Sequence, residues 1–121
     1  MKMKLYTDGN KTPKGVTCSY KIFYTTKSIE KTDILPIETT VPEAEYTGML
    51  SGLTRISDEF NVSDISINII SDNQVMVNQI NRKFECKKPT LRVLRSSVSD
   101  LLSKFKSFTV KWEPRSQNKA G

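Results

Sequence analysis

Three acidic segments decide the fold of this chain: Leu5-Tyr6-Thr7-Asp8-Gly9, then Glu43-Ala44-Glu45-Tyr46, then Ile69-Ile70-Ser71-Asp72-Asn73. Asp8 and Asp72 each end an apolar run that is typical of a buried strand, and Glu45 opens an amphipathic helix. Three carboxylates brought to one end of a sheet form a site for hard divalent cations, because Mg²⁺ prefers oxygen ligands. Paired metal ions at such a site perform in-line phosphoryl chemistry.

Each acid has a simpler explanation when it is taken alone. Asp8 and Gly9 together form a common turn pair. Glu45 lies one turn into its helix, where a carboxylate interacts favourably with the helix dipole. Asp72 suits the N-cap of the helix that follows it. Because all three explanations would have to hold by coincidence, we favour a shared acidic site.

The composition indicates one globular domain and excludes several kinds of site. Of the 121 residues, 26% are charged and 36% hydrophobic, so we expect a single domain over residues 1–121. No apolar run approaches the roughly 18 residues of a membrane span, and the start has no signal-peptide core, so we expect no membrane contact. We also expect a cytoplasmic location and a monomer. Cys18 and Cys86 are too few for a disulfide framework, and the absence of histidine removes most zinc chemistry.

Positive charge is concentrated in the last third of the chain. Residues 1–80 carry 8 basic and 10 acidic side chains, whereas residues 81–121 carry 11 basic and 3 acidic ones. A polyanion would be attracted to residues 81–121. A solvated basic helix face is the alternative interpretation, but the acidic segments beside it favour nucleic acid.

Hydrophobic periodicity predicts elements in the order βββαβααβ. We expect strands at residues 3–8, 16–26, 32–39, 65–70 and 108–112, with a loop at residues 10–15 and a hairpin turn at Lys27-Ser28. Pro36 places the third strand at an edge. Helices are expected to start at Pro42, after Asp72 and at Pro89. Trp112 is expected in the core rather than as a platform for stacking on bases.

The order of motifs carries a family resemblance. Tyr-Thr-Asp-Gly, Ala-Glu-Tyr and Ser-Asp-Asn, followed by the stretch from Trp112 to Gly121, resemble type 1 ribonuclease H from about Met3 to the last residue. The resemblance implies an α/β (α+β) fold, with a five-stranded mixed sheet in the order 3-2-1-4-5 and helices packed on both faces. It also implies a metal-dependent endonuclease that cuts the RNA strand of RNA–DNA hybrids, in which Asp8, Glu45 and Asp72 are catalytic and bind two Mg²⁺ or Mn²⁺ ions.

The resemblance further implies contacts with the nucleic acid. Backbone and small polar groups near the acids would recognise the ribose 2′-OH through the minor groove, and the matching positions are Gly9, Asn10, Thr40, Asn73 and Gln74. Ordinary loop or cap roles are the alternative for these residues. Phosphate contacts are expected from Lys87, Lys88, Arg92, Arg95 and Arg115. Arg115 and Asn118 follow the family pattern Pro-Arg-x-x-Asn, and both are expected to contact nucleic acid.

Two departures from the family pattern leave other functions open. The family has a fourth carboxylate in a pattern like Asn-x-x-Ala-Asp, and Asn118-Lys119-Ala120-Gly121 occupies its first four positions. Two alternatives stay open: the domain is truncated just before the acid, or the protein lacks that ligand. Many members also carry two asparagines where Val41-Pro42 stand here. The alternative function is therefore a catalytically weak or inactive nucleic-acid-binding domain on the same fold. An interaction module inside a larger assembly is a third interpretation.

Overall fold

A computed structural model describes residues 1–120, which form five strands and three helices. In chain order these are β1 (Lys2–Thr12), β2 (Gly15–Tyr24), β3 (Lys27–Leu35), α1 (Val41–Glu59), β4 (Ser66–Ser71), α2 (Gln74–Ile80), α3 (Pro89–Leu102) and β5 (Ser107–Trp112). Short 3₁₀ turns lie at Val62–Asp64 and Arg115–Gln117. The predicted order of elements is confirmed.

The strands form one mixed sheet in the order β3-β2-β1-β4-β5, which confirms the predicted fold class. β2 runs antiparallel to both β1 and β3, whereas β4 runs parallel to both β1 and β5. Thr7 of β1 pairs with Ser71 of β4. Because parallel strands end at the same edge of a sheet, Asp8 and Asp72 follow this pair side by side.

One face of the sheet shares a single hydrophobic core with all three helices. Leu5 of β1 and Ile69 of β4 are paired and fully buried, and the helices contribute Met49, Leu53, Ile56, Met76, Val77, Ile80, Leu91, Val98 and Leu102. Helices on both faces were expected from the resemblance. Within residues 1–120 the opposite face is contacted instead by the segment after β5, where the Ser19 hydroxyl donates to the Ala120 carbonyl over 2.9 Å.

Several boundaries of the first three strands differ from the prediction, and β3 ends at Leu35 rather than at residue 39. The turn between β2 and β3 lies at Thr25-Thr26, two residues before the predicted Lys27-Ser28, and Thr25 adopts a left-handed conformation with φ of 51°. β3 therefore begins earlier than predicted, and β1 continues through the expected loop as far as Thr12. These stretches are polar and exposed, so hydrophobic periodicity did not mark them, although their backbone pairing with β2 is continuous.

α1 begins with a capping box between Thr40 and Glu43. The Thr40 hydroxyl accepts a hydrogen bond from the Glu43 N–H over 3.3 Å, and the Glu43 carboxylate accepts one from the Thr40 N–H over 2.9 Å. Pro42 occupies the first turn, as expected, because its missing N–H is not needed there. None of the helices in residues 1–120 has the length and apolar character required to cross a membrane.

Gly9 brings β1 and α1 into direct backbone contact. A Cβ atom at this position would lie 2.5 Å from the amide nitrogen of Glu45 and 2.6 Å from the carbonyl carbon of Ala44. Backbone atoms cannot yield as a flexible side chain does, so only glycine fits without moving the helix. The contact therefore sets the position of Glu45 relative to Asp8.

We expect Gly9→Ala to lower the free energy of unfolding by about 2–3 kcal/mol, because the added methyl group must push α1 away from β1. Gly52→Ala is the matched control. Its Cβ would meet the end of the Leu5 side chain at 2.7 Å, which can move, and alanine favours a helix by up to about 1 kcal/mol. Urea unfolding followed by circular dichroism measures both variants, and equal losses would contradict the steric explanation.

Candidate active site

Three elements deliver the three predicted acids to one place. Asp8 lies in β1, Asp72 follows β4, and Glu45 projects from the start of α1. One carboxylate oxygen of each residue lies within 4.8 Å of the other two. Asp8 and Glu45 are each only 4% exposed, and Asp72 is half-buried. The predicted convergence of these side chains is therefore present in the structure.

Each acid keeps an oxygen that has no hydrogen bond within the protein. Asp8 Oδ1, Glu45 Oε2 and Asp72 Oδ2 are all buried and without a hydrogen-bond partner. An acceptor left unpaired in a buried site costs free energy, and three such acceptors close together also repel one another when they are ionised. Hard divalent cations take oxygen ligands of this kind, so the donor set fits Mg²⁺ or Mn²⁺.

Burial and mutual repulsion raise the pKa values of two of these acids. The pKa of Glu45 rises from 4.5 to about 8, mainly because of burial and then because of the negative charges of Asp8 and Asp72. The pKa of Asp8 is also raised, first by burial and then by Asp72. Hydrogen bonding to the Gly9 backbone and the charge of Arg115 oppose both shifts without cancelling them. The positive charge of Arg115 therefore does not fully compensate the negative charge of the three carboxylates.

Arg115 lies over this cluster, in the 3₁₀ turn after β5. Its guanidinium nitrogens are 3.9 Å from Asp8 Oδ2 and 3.7 Å from Asp72 Oδ2. The side chain is 64% exposed. The sequence marked Arg115 as a phosphate contact, and the structure shows in addition that it pairs with two of the acids.

Asn118 is buried and hydrogen-bonded within the protein, and its contact with nucleic acid stays a prediction. Its side chain is 8% exposed. The amide nitrogen donates to the Thr7 carbonyl over 3.0 Å, and the amide oxygen accepts from the Ala120 N–H over 2.9 Å. Asn118 thus fastens the segment after β5 to β1.

Gly9, Thr40 and Asn73 also make contacts within the protein. Gly9 is buried against α1. Thr40 caps α1, as described above, and the Asn73 side chain caps α2 by accepting from the Met76 N–H over 3.0 Å. Thr40 remains exposed at its helix start and Asn73 half-buried, so a nucleic-acid contact for these two residues stays a prediction.

Most of the remaining predicted contact residues lie at the surface. The exposed ones are Asn10, Gln74, Lys87, Lys88 and Arg92. Asn73, Lys87 and Lys88 border a groove of about 400 Å³ between the starts of α1, α2 and α3. Arg95 differs from the others because its side chain is half-buried and its Nε has no hydrogen-bond partner. The groove thus lies next to α2, the helix that begins just after Asp72.

Trp112 is exposed, and the prediction that it lies in the core is wrong. Its side chain is 44% exposed, and the indole N–H donates to the Asp72 carbonyl over 3.1 Å. Alternation with Val110 correctly places the two residues on one face of β5, but the core ends at Val110. The role of Trp112 in holding the Asp72 backbone had no signal in the sequence.

The pKa of Glu45 predicts how stability depends on pH. Between pH 4.5 and about 8 the folded protein keeps a proton on Glu45 that the unfolded chain has lost, so the contribution of Glu45 makes stability fall as pH rises through this window. Without divalent ions, we expect the melting temperature to drop by at least about 5 °C from pH 5 to pH 8. Glu45→Gln, which cannot ionise, should show a smaller drop in differential scanning calorimetry. A melting temperature that rises over this range in the wild type alone would contradict the assignment.

Comparisons with known proteins agree with this fold. Residues 29–121 match the model of a family described as reverse transcriptase-like. Among curated proteins, the bifunctional protein Rv2228c of Mycobacterium tuberculosis is 28% identical over 75 residues, which are 62% of this chain and 20% of that protein. An uncharacterized protein of Mycobacterium bovis matches to the same extent. The chain thus spans about a fifth of the length of these curated relatives.

Solved structures of ribonucleases H superimpose on nearly the whole chain. The N-terminal RNase H domain of Rv2228c from M. tuberculosis has a TM-score of 0.87 at 21% identity, covering 97% of this chain and 85% of that one. RNase H1 from the archaeon Halobacterium salinarum has a TM-score of 0.86 at 21% identity, and the match covers 98% of this chain and 90% of that one. LC11-RNase H1 in complex with an RNA/DNA hybrid has a TM-score of 0.85 at 19% identity, and the match covers 97% of this chain and 88% of that one. The chain therefore belongs to the reverse transcriptase-like family and has a ribonuclease H-like fold.

Proposed function

We propose that this protein is a metal-dependent endonuclease that hydrolyses the RNA strand of RNA–DNA hybrids. The observation that carries the proposal is the cluster of Asp8, Glu45 and Asp72, whose ligand oxygens lie within 4.8 Å of one another. These residues would hold two Mg²⁺ or Mn²⁺ ions. When bound, such ions supply the Lewis acidity for in-line displacement at phosphorus.

The residues around the cluster each have a definable part in this chemistry. In the metal-free protein the raised pKa of Glu45, about 8, favours the protonated carboxyl at neutral pH, so cation binding there would release a proton. The Trp112 indole fixes the Asp72 backbone, and Asn118 fixes the loop that carries Arg115. The Arg115 guanidinium lies where it can bind a phosphate beside the acids. No histidine is present in the chain to act as a base.

The surface beside the cluster supports a nucleic-acid substrate. Lys87 and Lys88 border the groove next to Asn73, and Arg92 and Gln74 are exposed nearby in sequence. Basic side chains attract the phosphate backbone and make binding sensitive to salt. One protein of the same fold, LC11-RNase H1, was solved with an RNA/DNA hybrid. A monomeric state and a cytoplasmic location remain expectations of the sequence.

The second candidate is a catalytically weak or inactive domain that binds nucleic acid. Within residues 1–120 the acidic cluster contains three residues, and no fourth acid joins it. Fewer carboxylates hold divalent ions less tightly, because ligand charge sets affinity. Val41-Pro42 at the start of α1 also lack the side-chain amides that many family members carry there.

Cleavage of a labelled RNA–DNA hybrid in Mg²⁺ or Mn²⁺ separates the two candidates. We expect Asp8→Asn and Asp72→Asn each to lower the cleavage rate at least about a thousandfold, because metal ligation contributes several kcal/mol to transition-state stabilisation. Asp100→Asn is the matched control, since this acid is exposed on α3, and it should cleave at the wild-type rate. Salt-sensitive binding without any products in the wild type would support the inactive domain instead.

A further inference from the structure

Arg115 offsets the charge of the acids without filling their coordination sites. Its distances of 3.9 Å to Asp8 Oδ2 and 3.7 Å to Asp72 Oδ2 exceed the length of a hydrogen bond. Asp72 Oδ2 accordingly has no hydrogen-bond partner. The lone pairs that would ligate a metal ion therefore stay free, although the guanidinium is close enough to attract both carboxylates.

The backbone that carries Arg115 is held by hydrogen bonds on both sides, whereas its side chain is largely exposed. Before the turn, the Glu113 N–H donates to the Ser71 carbonyl over 3.0 Å. After it, the Asn118 side chain donates to the Thr7 carbonyl over 3.0 Å. Because the Arg115 side chain is 64% exposed, it can rotate into solvent and lose little packing. The loop keeps the guanidinium within reach of the cluster and also lets it leave.

We propose that Arg115 is an internal counter-cation, which stands between Asp8 and Asp72 in the metal-free protein and is displaced when a divalent ion binds. This inference rests on the proposed function, because it assumes that the three acids bind a metal ion. A guanidinium and a divalent cation close to the same two carboxylates repel each other, so ion binding and the Arg115 ion pairs compete. Once displaced, the guanidinium is available to a phosphate of the nucleic acid.

Titration calorimetry with MnCl₂ in the absence of nucleic acid, at fixed pH and ionic strength, tests the competition. We expect Arg115→Ala to bind the ion about three- to tenfold more tightly than the wild type, because each ion pair that it removes joins an exposed guanidinium to a carboxylate over 3.7 Å or more and is worth up to about 1 kcal/mol. Arg115→Lys keeps the charge but loses the forked geometry of the guanidinium, so its affinity for Mn²⁺ should lie between those of the wild type and Arg115→Ala.

Two further variants isolate the role of Arg115. Lys111→Ala removes an exposed charge from β5 that forms no ion pair within residues 1–120, so it should change the affinity less than Arg115→Ala. Asp72→Asn should abolish the heat of Mn²⁺ binding both in the wild type and in Arg115→Ala.

Tryptophan fluorescence gives an independent titration curve. Trp112 is the only tryptophan, and its indole contacts the Asp72 carbonyl.

The outcomes separate this inference from the proposed function. Equal affinities of the wild type and Arg115→Ala would overturn the counter-cation role and leave the metal site standing. Weaker binding by Arg115→Ala would also overturn it, and would show that Arg115 helps to order the acids. If neither protein binds Mn²⁺, the proposed function fails and this inference fails with it.

Discussion

The backbone contact between Gly9 and the start of α1 is the constraint on which the site depends. β1 and α1 approach so closely that no Cβ atom fits between Gly9 and the Glu45 amide. The parallel pairing of β1 with β4 separately sets Asp8 beside Asp72. Together these two features assemble carboxylates from residues 8, 45 and 72, although each belongs to a different element. A small change in the spacing of α1 from the sheet would move Glu45 away from the other two acids.

The assembled cluster is electrostatically unfavourable in the absence of a cation. Burial raises the pKa of both Glu45 and Asp8, and each carries an unpaired buried oxygen. Arg115 supplies positive charge from an exposed side chain, at distances too long for hydrogen bonds. Groups arranged for function are often a local cost to stability, and here the well-packed core beneath the sheet offsets it. The same features that destabilise the metal-free site would favour the binding of a divalent ion there.

Much of the fold and the acidic cluster could be predicted, because they follow from local patterns. The apolar runs before Asp8 and Asp72 mark strand ends, and Pro42 marks the start of the helix that carries Glu45. The missed features depend on contacts between distant parts of the chain. Asn118 looks like a surface residue until its bond to the Thr7 carbonyl, 111 positions away, is known. Trp112 follows the strand alternation but lies beyond the edge of the core.

The most direct test of the central claim is a crystal structure of the protein soaked in MnCl₂, with anomalous scattering used to locate the metal. The convergence of three unpaired carboxylate oxygens predicts an anomalous peak bonded to Asp8, Glu45 and Asp72, with the Arg115 guanidinium turned away from them. A peak bonded to none of these three residues, or carboxylates that stay unligated at saturating Mn²⁺, would contradict a metal-dependent site.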